Sequence, residues 1–166
     1  MERDILEELY QTYYRDVYTY LLALSGSRHL AEELAQETFL RAFCKVDIAD
    51  ERIKSWLLRT AHNAFIDYVR KESRAAWLDD EVIRQVADHR PGPEQQLEQK
   101  EEVRRVYDIV AGLPWRQRQA LALRDGSGLS YVEAARLMGI TVGAFRNLLL
   151  RARSQVRQQM KGGGEP

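Results

Sequence analysis

Cysteine, proline and long apolar runs are all scarce in this sequence. Cys44 is the single cysteine, so no disulfide can form within the chain, and a lone thiol is typical of a reducing compartment. We predict that Cys44 is a small buried hydrophobic side chain. No stretch reaches the roughly 18 apolar residues that a membrane-spanning helix requires, and the opening residues MERDILEELY lack the apolar segment of a signal peptide. These absences predict a cytoplasmic protein that does not insert into a membrane.

Net charge is absent too, but the charges are unevenly placed. The 25 basic and 25 acidic residues sum to zero. Residues 1–50 are rich in acids, which are Glu2, Asp4, Glu7, Glu8, Asp16, Glu32, Glu33, Glu37, Asp47 and Asp50. Residues 130–161 contain Glu133 as their one acid, and their bases are Arg136, Arg146, Arg151, Arg153, Arg157 and Lys161. The neutral total therefore conceals an acidic N-terminal part and a basic C-terminal part.

Apolar residues recur at helical spacing along most of the chain, and no strand-like alternation persists. We therefore predict an all-α fold built from two small helical units. The first, residues 1–74, is predicted to contain three helices over about 4–24, 27–44 and 51–74, with Ser27 and Asp50 capping the second and third.

The second predicted unit, residues 96–160, contains four helices that begin at about residue 94. They cover about 94–111, 114–124, 130–139 and 141–160. Pro114 fits the first position of a helix, Ser130 and Glu133 have capping-box spacing, and Thr141 can cap the last helix. Between the units, residues 75–95 contain Pro91-Gly92-Pro93, which cannot continue a helix and predicts a linker. Residues 161–166 are predicted to be a flexible tail.

Each predicted helix has an apolar face that we expect to form the core. In the first unit the faces comprise Ile5, Leu9, Tyr13, Val17, Tyr20, Leu24, Leu30, Leu34, Phe39, Phe43, Ile53, Leu57, Ala61, Phe65 and Val69, with Trp56 and Tyr68 beside them. In the last two helices they comprise Leu129, Val132, Ala135, Leu137, Ile140, Phe145, Leu149, Ala152 and Val156.

Residues 129–156 have the spacing of a helix-turn-helix, with a short capped helix, a glycine turn and a longer helix. Arginine binds phosphate or guanine edges, and asparagine can pair with adenine. The polar residues of the last helix therefore predict a DNA-binding surface opposite its apolar stripe.

Three blocks in this order resemble the extracytoplasmic-function sigma factors of bacterial RNA polymerase. AEELAQETFLRAF (31–43) resembles regions 2.1–2.2 of that family, IKSWLLRTAHNAFIDYVRKESR (53–74) resembles regions 2.3–2.4, and residues 113–156 resemble region 4. The resemblance implies a factor that binds core RNA polymerase and directs transcription initiation at specific promoters. It also implies control by an anti-sigma factor, because the two units can be clamped together.

The resemblance assigns expected contacts to named residues. On the outer face of the second helix, Glu33, Gln36, Glu37 and Arg41 are expected to bind polymerase. For opening the minus-ten element, the third helix offers a basic track, aromatic rings and an amide, in Lys54, Trp56, Arg59, Asn63, Arg70, Lys71 and Arg74. For Trp56 the SWL context favours a place in the core over a DNA contact. We predict that Asp67 pairs with a neighbouring basic side chain and has no DNA role. We predict that His62 is structural or lies near a phosphate.

The minus-thirty-five element is expected to contact Thr141, Arg146, Asn147, Arg151 and Arg153. This chain has Ala144 and Leu148 where the family usually has threonine and arginine. The loss of an arginine removes a bidentate donor worth about 1–3 kcal/mol of discrimination, so promoter preferences of other members are not expected to transfer. Leu148 and Leu150 are expected to meet the polymerase flap or an inhibitory partner.

Two other classes of protein compete with this interpretation. A stand-alone helix-turn-helix regulator would form a dimer through its N-terminal helices and bind operator DNA in that form. An enzyme is disfavoured, because His29, His62, His89 and Cys44 lack metal-ligand spacing and the sequence has no glycine-rich phosphate loop. We therefore expect no catalytic residue, metal, cofactor or small-molecule substrate.

Overall fold

The computed structural model describes residues 2–45, 52–73 and 101–162, and the regular structure in these ranges is helical. The first unit contains α1 (Glu2–Ser25), α2 (Arg28–Lys45) and α3 (Ile53–Ser73). The second contains α4 (Glu101–Ala111), α5 (Trp115–Leu121), α6 (Tyr131–Met138) and α7 (Val142–Gly162). These helices confirm the predicted all-α fold. The predicted linker, the start of the fourth predicted helix, the cap Asp50 and the end of the tail lie outside the described residues, as does Arg74.

Polar caps begin three of the helices at the predicted positions. The Ser27 hydroxyl accepts from the backbone N–H of Leu30 at 3.2 Å, and the Thr141 hydroxyl accepts from that of Ala144 at 3.1 Å. Ser130 likewise accepts from the N–H of Glu133 at 3.1 Å. The predicted capping box is only half formed, because the Glu133 carboxylate accepts from the Ser130 hydroxyl at 2.9 Å instead of reaching back to a backbone N–H.

The middle of the second unit differs from the prediction. Pro114 lies one position before the first helical residue, Trp115, and α5 ends at Leu121. The chain continues as a π turn (Ala122–Gly126), closed by a bond of 2.8 Å from the N–H of Ser127 to the carbonyl of Ala122. The Ser127 hydroxyl also donates to the carbonyl of Asp16 in α1 at 2.9 Å. This long-range contact holds the turn, and no local sequence pattern encodes it.

The core of the first unit lies between α1, α2 and α3, where most of the predicted apolar faces are buried. The prediction of burial is wrong for two residues, Ile5 and Phe43, since each is 40% exposed. Cys44 is also exposed, contrary to prediction. The short turn between α1 and α2 makes them an antiparallel hairpin. All three residues lie near the start of α1 or the end of α2, at the open end of that hairpin.

The core of the second unit centres on α7, whose Phe145, Leu149 and Ala152 are buried as predicted. The prediction that Val132 belongs to this core is wrong, because its side chain is 53% exposed in the first turn of α6. Ala134, Ala135 and Leu137 supply the inner face of α6.

The two units share one continuous buried cluster, in which Phe65 of α3 and Trp115 of α5 stack with ring centroids 5.6 Å apart. Helix α1 contacts α5 and the π turn, and α3 contacts α6. Within the three described ranges, no helix is both long enough and apolar enough to span a membrane, and no group of three metal-ligating side chains comes together.

Candidate nucleic-acid interface

The outer face of α2 carries a row of charged and polar side chains. Glu33, Gln36 and Glu37 are exposed, and Arg41 is half-buried. Neighbours four positions apart pair along the helix: His29 Nε2 lies 2.9 Å from Glu33 Oε1, and Arg41 Nη2 lies 2.7 Å from Glu37 Oε1. This surface offers carboxylates at a fixed spacing to a partner.

Arg41 also joins this face to α3. Its Nη2 atom lies 3.6 Å from Asp67 Oδ2, in addition to its bond to Glu37. The prediction that Asp67 pairs with a nearby basic side chain is therefore confirmed.

An open groove of about 530 Å³ is lined by residues of α2 and α3. Its residues come from both predicted contact sets: Glu37, Leu40, Arg41 and Cys44 from α2, and Trp56, Arg59, Thr60 and Asn63 from α3. Leu40, which is 61% exposed, was not predicted to contribute. The groove thus places candidate polymerase contacts beside candidate contacts to an unpaired DNA base.

Trp56 lies where either of its two predicted roles remains open. It is half-buried, packs against the core and still lines the groove. The Thr60 hydroxyl donates to the carbonyl of Trp56 at 2.9 Å. One helical turn beyond Arg59, Asn63 is exposed, so its amide can reach a base edge.

The remaining predicted DNA contacts of α3 divide into two groups. Arg59, Arg70 and Lys71 are exposed and supply positive charge along the helix. Lys54 is instead half-buried, and its Nζ atom lies 3.5 Å from Asp16 Oδ2 of α1. Lys54 therefore connects two helices of the first unit.

The helix-turn-helix consists of α6, Gly139 and α7. Gly139 ends α6 with a φ of 70°, a conformation that glycine adopts without the penalty other residues incur. Tyr131 of α6 packs edge-on against Phe145 of α7 with centroids 5.6 Å apart. This contact packs the two helices against each other.

Most predicted DNA contacts of the second unit are exposed at the outer surface of α7 or at its start: Thr141, Arg146, Asn147 and Arg151. The Arg146 guanidinium lies 6.0 Å from the centroid of the Tyr131 ring, on which it can rest through a cation–π contact. Leu148 is half-buried, and Leu150 is 56% exposed.

Arg153 differs from the other arginines of α7. Its Nε and Nη2 atoms donate to the two carboxylate oxygens of Asp125 at 2.9 and 2.6 Å. These hydrogen bonds raise the pKa of Arg153 further, so the guanidinium is charged at all relevant pH values. Arg153 therefore forms a partly exposed ion pair within the chain, which joins α7 to the π turn.

Two family models match the chain, Sigma-70 region 2 over residues 9–75 and Sigma-70, region 4 over residues 104–156. The chain is also similar to the ECF RNA polymerase sigma factor SigM of Bacillus subtilis, with 38% identity over 154 residues that cover 92% of this chain and 93% of SigM. The chain belongs to the ECF sigma factors of RNA polymerase.

Further relatives of this sigma factor extend the likeness. The ECF RNA polymerase sigma factor SigW of Bacillus subtilis is 27% identical over 170 residues, which cover 96% of this chain and 91% of SigW. In fold, the chain resembles the sigma factor RpoE of Bartonella quintana, solved in complex with the anti-sigma factor NepR. The TM-score is 0.72 at 23% identity, over 93% of this chain and 96% of that one.

The matched regions coincide with the two units of this sigma factor. Region 2 covers most of α1 and all of α2 and α3, and region 4 runs from within α4 to within α7. We call the two units region 2 and region 4 below.

A buried polar cluster joins region 2 to region 4, and sequence reasoning missed it. Tyr20 of α1 and His62 Nδ1 of α3 are hydrogen-bonded at 3.0 Å. The Gln119 amide of α5 donates to the Tyr20 oxygen at 3.2 Å and lies 3.4 Å from His62 Nδ1. Burial raises the pKa of the Tyr20 hydroxyl, which the Gln119 hydrogen bond partly offsets. His62 therefore takes part in the contact between the two regions.

One sequence signal did point towards this cluster. Tyr20 lies on the apolar stripe of α1, where a buried hydroxyl needs a hydrogen-bond partner. That rule predicts the existence of a partner. It does not identify Gln119, which lies 99 residues away.

Proposed function

We propose that this sigma factor binds core RNA polymerase and directs promoter-specific transcription initiation, as a non-enzymatic cytoplasmic protein that needs no cofactor. The observation that carries the proposal is the shared groove between α2 and α3. There Glu37 and Arg41 lie beside Trp56, Arg59 and Asn63. A protein that must hold polymerase and an unpaired DNA strand together needs these two chemistries side by side.

On the polymerase side, the exposed row of α2 supports binding to a charged partner helix. Glu33, Gln36, Glu37 and Arg41 lie on successive turns of one face. Leu40 adds an exposed apolar side chain at the edge of the groove. Charged rows give an interface its specificity, while exposed apolar side chains supply buried area on binding.

On the minus-ten side, we assign Asn63 to the edge of an unstacked base and Trp56 to a stacking or wall contact. Arg59, Arg70 and Lys71, together with Arg74, supply positive charge for the strand backbone. Aromatic stacking contributes about 1–3 kcal/mol per base in single-strand binding. Lys54 has a smaller role in this assignment, because Asp16 already pairs with it.

On the minus-thirty-five side, we assign duplex contacts to Thr141, Arg146, Asn147 and Arg151 at the exposed surface of the helix-turn-helix. Arg153 supports α7 through Asp125. Ala144 and Leu148 remove polar groups that other family members use, so the preferred element should differ from theirs. Leu150 is sufficiently exposed to contact the polymerase flap or an inhibitor.

Run-off transcription with core RNA polymerase over a promoter library tests this proposal. The chain should produce discrete transcripts from a subset of promoters only when core polymerase is present. A dimeric operator-binding regulator, the alternative, would bind a duplex by itself at half-sites about one helical turn apart. Tight duplex binding without polymerase, combined with no transcript, would establish that alternative.

Control by an anti-sigma factor completes the proposal. It is supported by the fold likeness to the Bartonella quintana sigma factor, which was solved with its anti-sigma factor. A cognate inhibitor should abolish run-off transcription by this chain and leave transcription by the same polymerase with another sigma factor intact.

A further inference from the structure

Tyr131, the first residue of α6, combines a buried contact with a place at the surface of region 4. Its side chain is half-buried, and its ring meets the fully buried Phe145 of α7 at an interplanar angle of 69°. Aromatic rings attract each other in this edge-to-face arrangement, beyond the effect of the area that they bury. Phe145 therefore holds the Tyr131 ring in place beside the exposed face of α7.

Two guanidinium groups lie against this ring. The Arg124 group of the π turn is 5.3 Å from the ring centroid and the Arg146 group of α7 is 6.0 Å from it, which are distances typical of a cation–π contact. The hydroxyl end of Tyr131 meets a third arginine. Hydrogen bonds to Asp125 in the first place, and to Tyr131 as well, raise the pKa of Arg153. One tyrosine thus meets arginines from two elements of region 4.

These arginines differ in what else holds them. Arg124 donates from Nη1 to the carbonyl of Leu129 at 3.0 Å, and Arg153 is bonded to both carboxylate oxygens of Asp125. Both anchors persist if the ring is removed. Arg146 is exposed on α7, where a long side chain in water samples many rotamers. Among the three, the position of Arg146 should therefore depend most on the ring.

We propose that Tyr131 is a positioning residue for Arg146, whose guanidinium its ring holds in place in the free protein, before the minus-thirty-five duplex binds. The proposal rests on the proposed function, in which Arg146 contacts that duplex. A long side chain that becomes ordered at an interface loses rotamer freedom, which weakens binding, and one that is ordered beforehand avoids this loss. The ring should thereby strengthen promoter binding by about two- to tenfold.

Two substitutions of Tyr131 separate its ring from its hydroxyl. Tyr131→Leu removes the ring and keeps an apolar side chain against the core, whereas Tyr131→Phe keeps the ring and removes the hydroxyl. Tyr107→Leu is the matched control, because it makes the same change at a half-buried position of α4, outside the proposed DNA surface. If circular dichroism shows that Tyr131→Leu fails to fold, Tyr131→Met takes its place, since methionine adapts to irregular spaces.

The first measurement is nitrogen-15 relaxation of the arginine Nε–H groups in the free protein, which reports the order of each side chain. Arg157, exposed two turns or more beyond Arg146 on α7, is the internal reference for a mobile arginine. Arg146 should be more ordered than Arg157 in the wild type and in Tyr131→Phe, and as mobile as Arg157 in Tyr131→Leu. Equal mobility of the two arginines in the wild type would overturn the proposal.

The second measurement is the promoter affinity of each variant in complex with core polymerase, followed by fluorescence anisotropy. Tyr131→Leu should bind about two- to tenfold more weakly than the wild type. Tyr131→Phe and Tyr107→Leu should bind as the wild type does. A loss for Tyr131→Phe as large as that for Tyr131→Leu would refute a role of the ring.

A double-mutant cycle with Arg146→Ala separates positioning from general support of the fold. If Tyr131 acts through Arg146, adding Tyr131→Leu to Arg146→Ala should cause no further loss of promoter affinity. A residue that only supports the fold would lower the affinity equally in both backgrounds, and that result would reject the positioning role. If the order of Arg146 follows the ring but the wild type with core polymerase neither binds nor transcribes any promoter, the hold of the ring on Arg146 is supported and the proposed function fails.

Discussion

Arg153 of α7 and Asp125 of the π turn form a two-pronged ion pair, whose bonds of 2.9 and 2.6 Å use two nitrogens of one guanidinium. Arg146, seven residues earlier on the same helix, is exposed, and its guanidinium lies 6.0 Å from the centroid of the Tyr131 ring. Two arginines that look equivalent in the sequence therefore have different surroundings, and substitutions at each should have different effects.

Replacing Arg153 with alanine should affect stability more than DNA binding. The pair with Asp125 is partly exposed, so its loss should lower the free energy of unfolding by up to about 1 kcal/mol. Urea unfolding of the full chain measures this change. Arg157→Ala, which removes the same charge from an exposed site on α7, should leave the unfolding midpoint unchanged. A loss of promoter affinity without any loss of stability would assign Arg153 to DNA instead.

Replacing Arg146 with alanine should weaken promoter binding by the polymerase complex and leave stability intact. If Arg146 neutralises one phosphate, the slope of log affinity against log salt should fall in magnitude by about 0.9. Filter binding or fluorescence anisotropy over a range of salt concentrations measures the slope. Arg153→Ala serves as the comparison, and an unchanged slope for Arg146→Ala would argue against a phosphate contact.

Asn63→Ala should impair promoter opening more than polymerase binding. Asn63 is exposed in the groove between α2 and α3, so its loss removes an amide from a base without leaving a buried partner unsatisfied. We expect open-complex formation to fall by about tenfold, the equivalent of one bidentate base contact. Permanganate reactivity of unpaired thymines measures opening.

Asn147→Ala provides the matched control for Asn63→Ala. It makes the same chemical change at an exposed position of α7. It should reduce recognition of the duplex, with little effect on promoter opening once the polymerase complex has bound the promoter. Equal losses of polymerase binding and of opening for Asn63→Ala would contradict its role at an unstacked base.

Exchanging Glu37 and Arg41, by Glu37→Arg together with Arg41→Glu, should weaken polymerase binding while the protein still folds. The exchange retains an ion pair four residues apart but reverses the charges presented to a partner. It also places a second acid near Asp67, at a cost below about 1 kcal/mol for an exposed pair. Competition with the wild type for core polymerase measures binding, and equal competition would exclude this face as the interface.

Local sequence patterns predicted the helices well because each helix carries its own signals. Ser27, Ser130 and Thr141 cap their helices as expected, and Gly139 ends α6. Predictions of burial were less accurate at the ends of helices. Periodicity identifies the inner face of α2 but cannot show that Phe43 extends past its neighbours at the open end of the hairpin.

The candidate site divides in the same way. Residue type and spacing identified Asn63 and the arginines of α7 as candidate DNA contacts, because a helix places neighbours of known spacing on one face. They could not show that Lys54 pairs with Asp16 or that Arg153 pairs with Asp125, since those partners belong to other elements.

The sequence by itself determined the helices in the described parts of the chain, the helix-turn-helix and the sigma-factor family, since capping, periodicity and motif order all act over short distances. Only the tertiary structure decided that Gln119 meets Tyr20 across 99 residues and that Asn63 faces region 4. The physical reason is that a buried hydrogen bond between distant segments depends on how whole helices pack, and the local pattern around either residue holds no information about its partner.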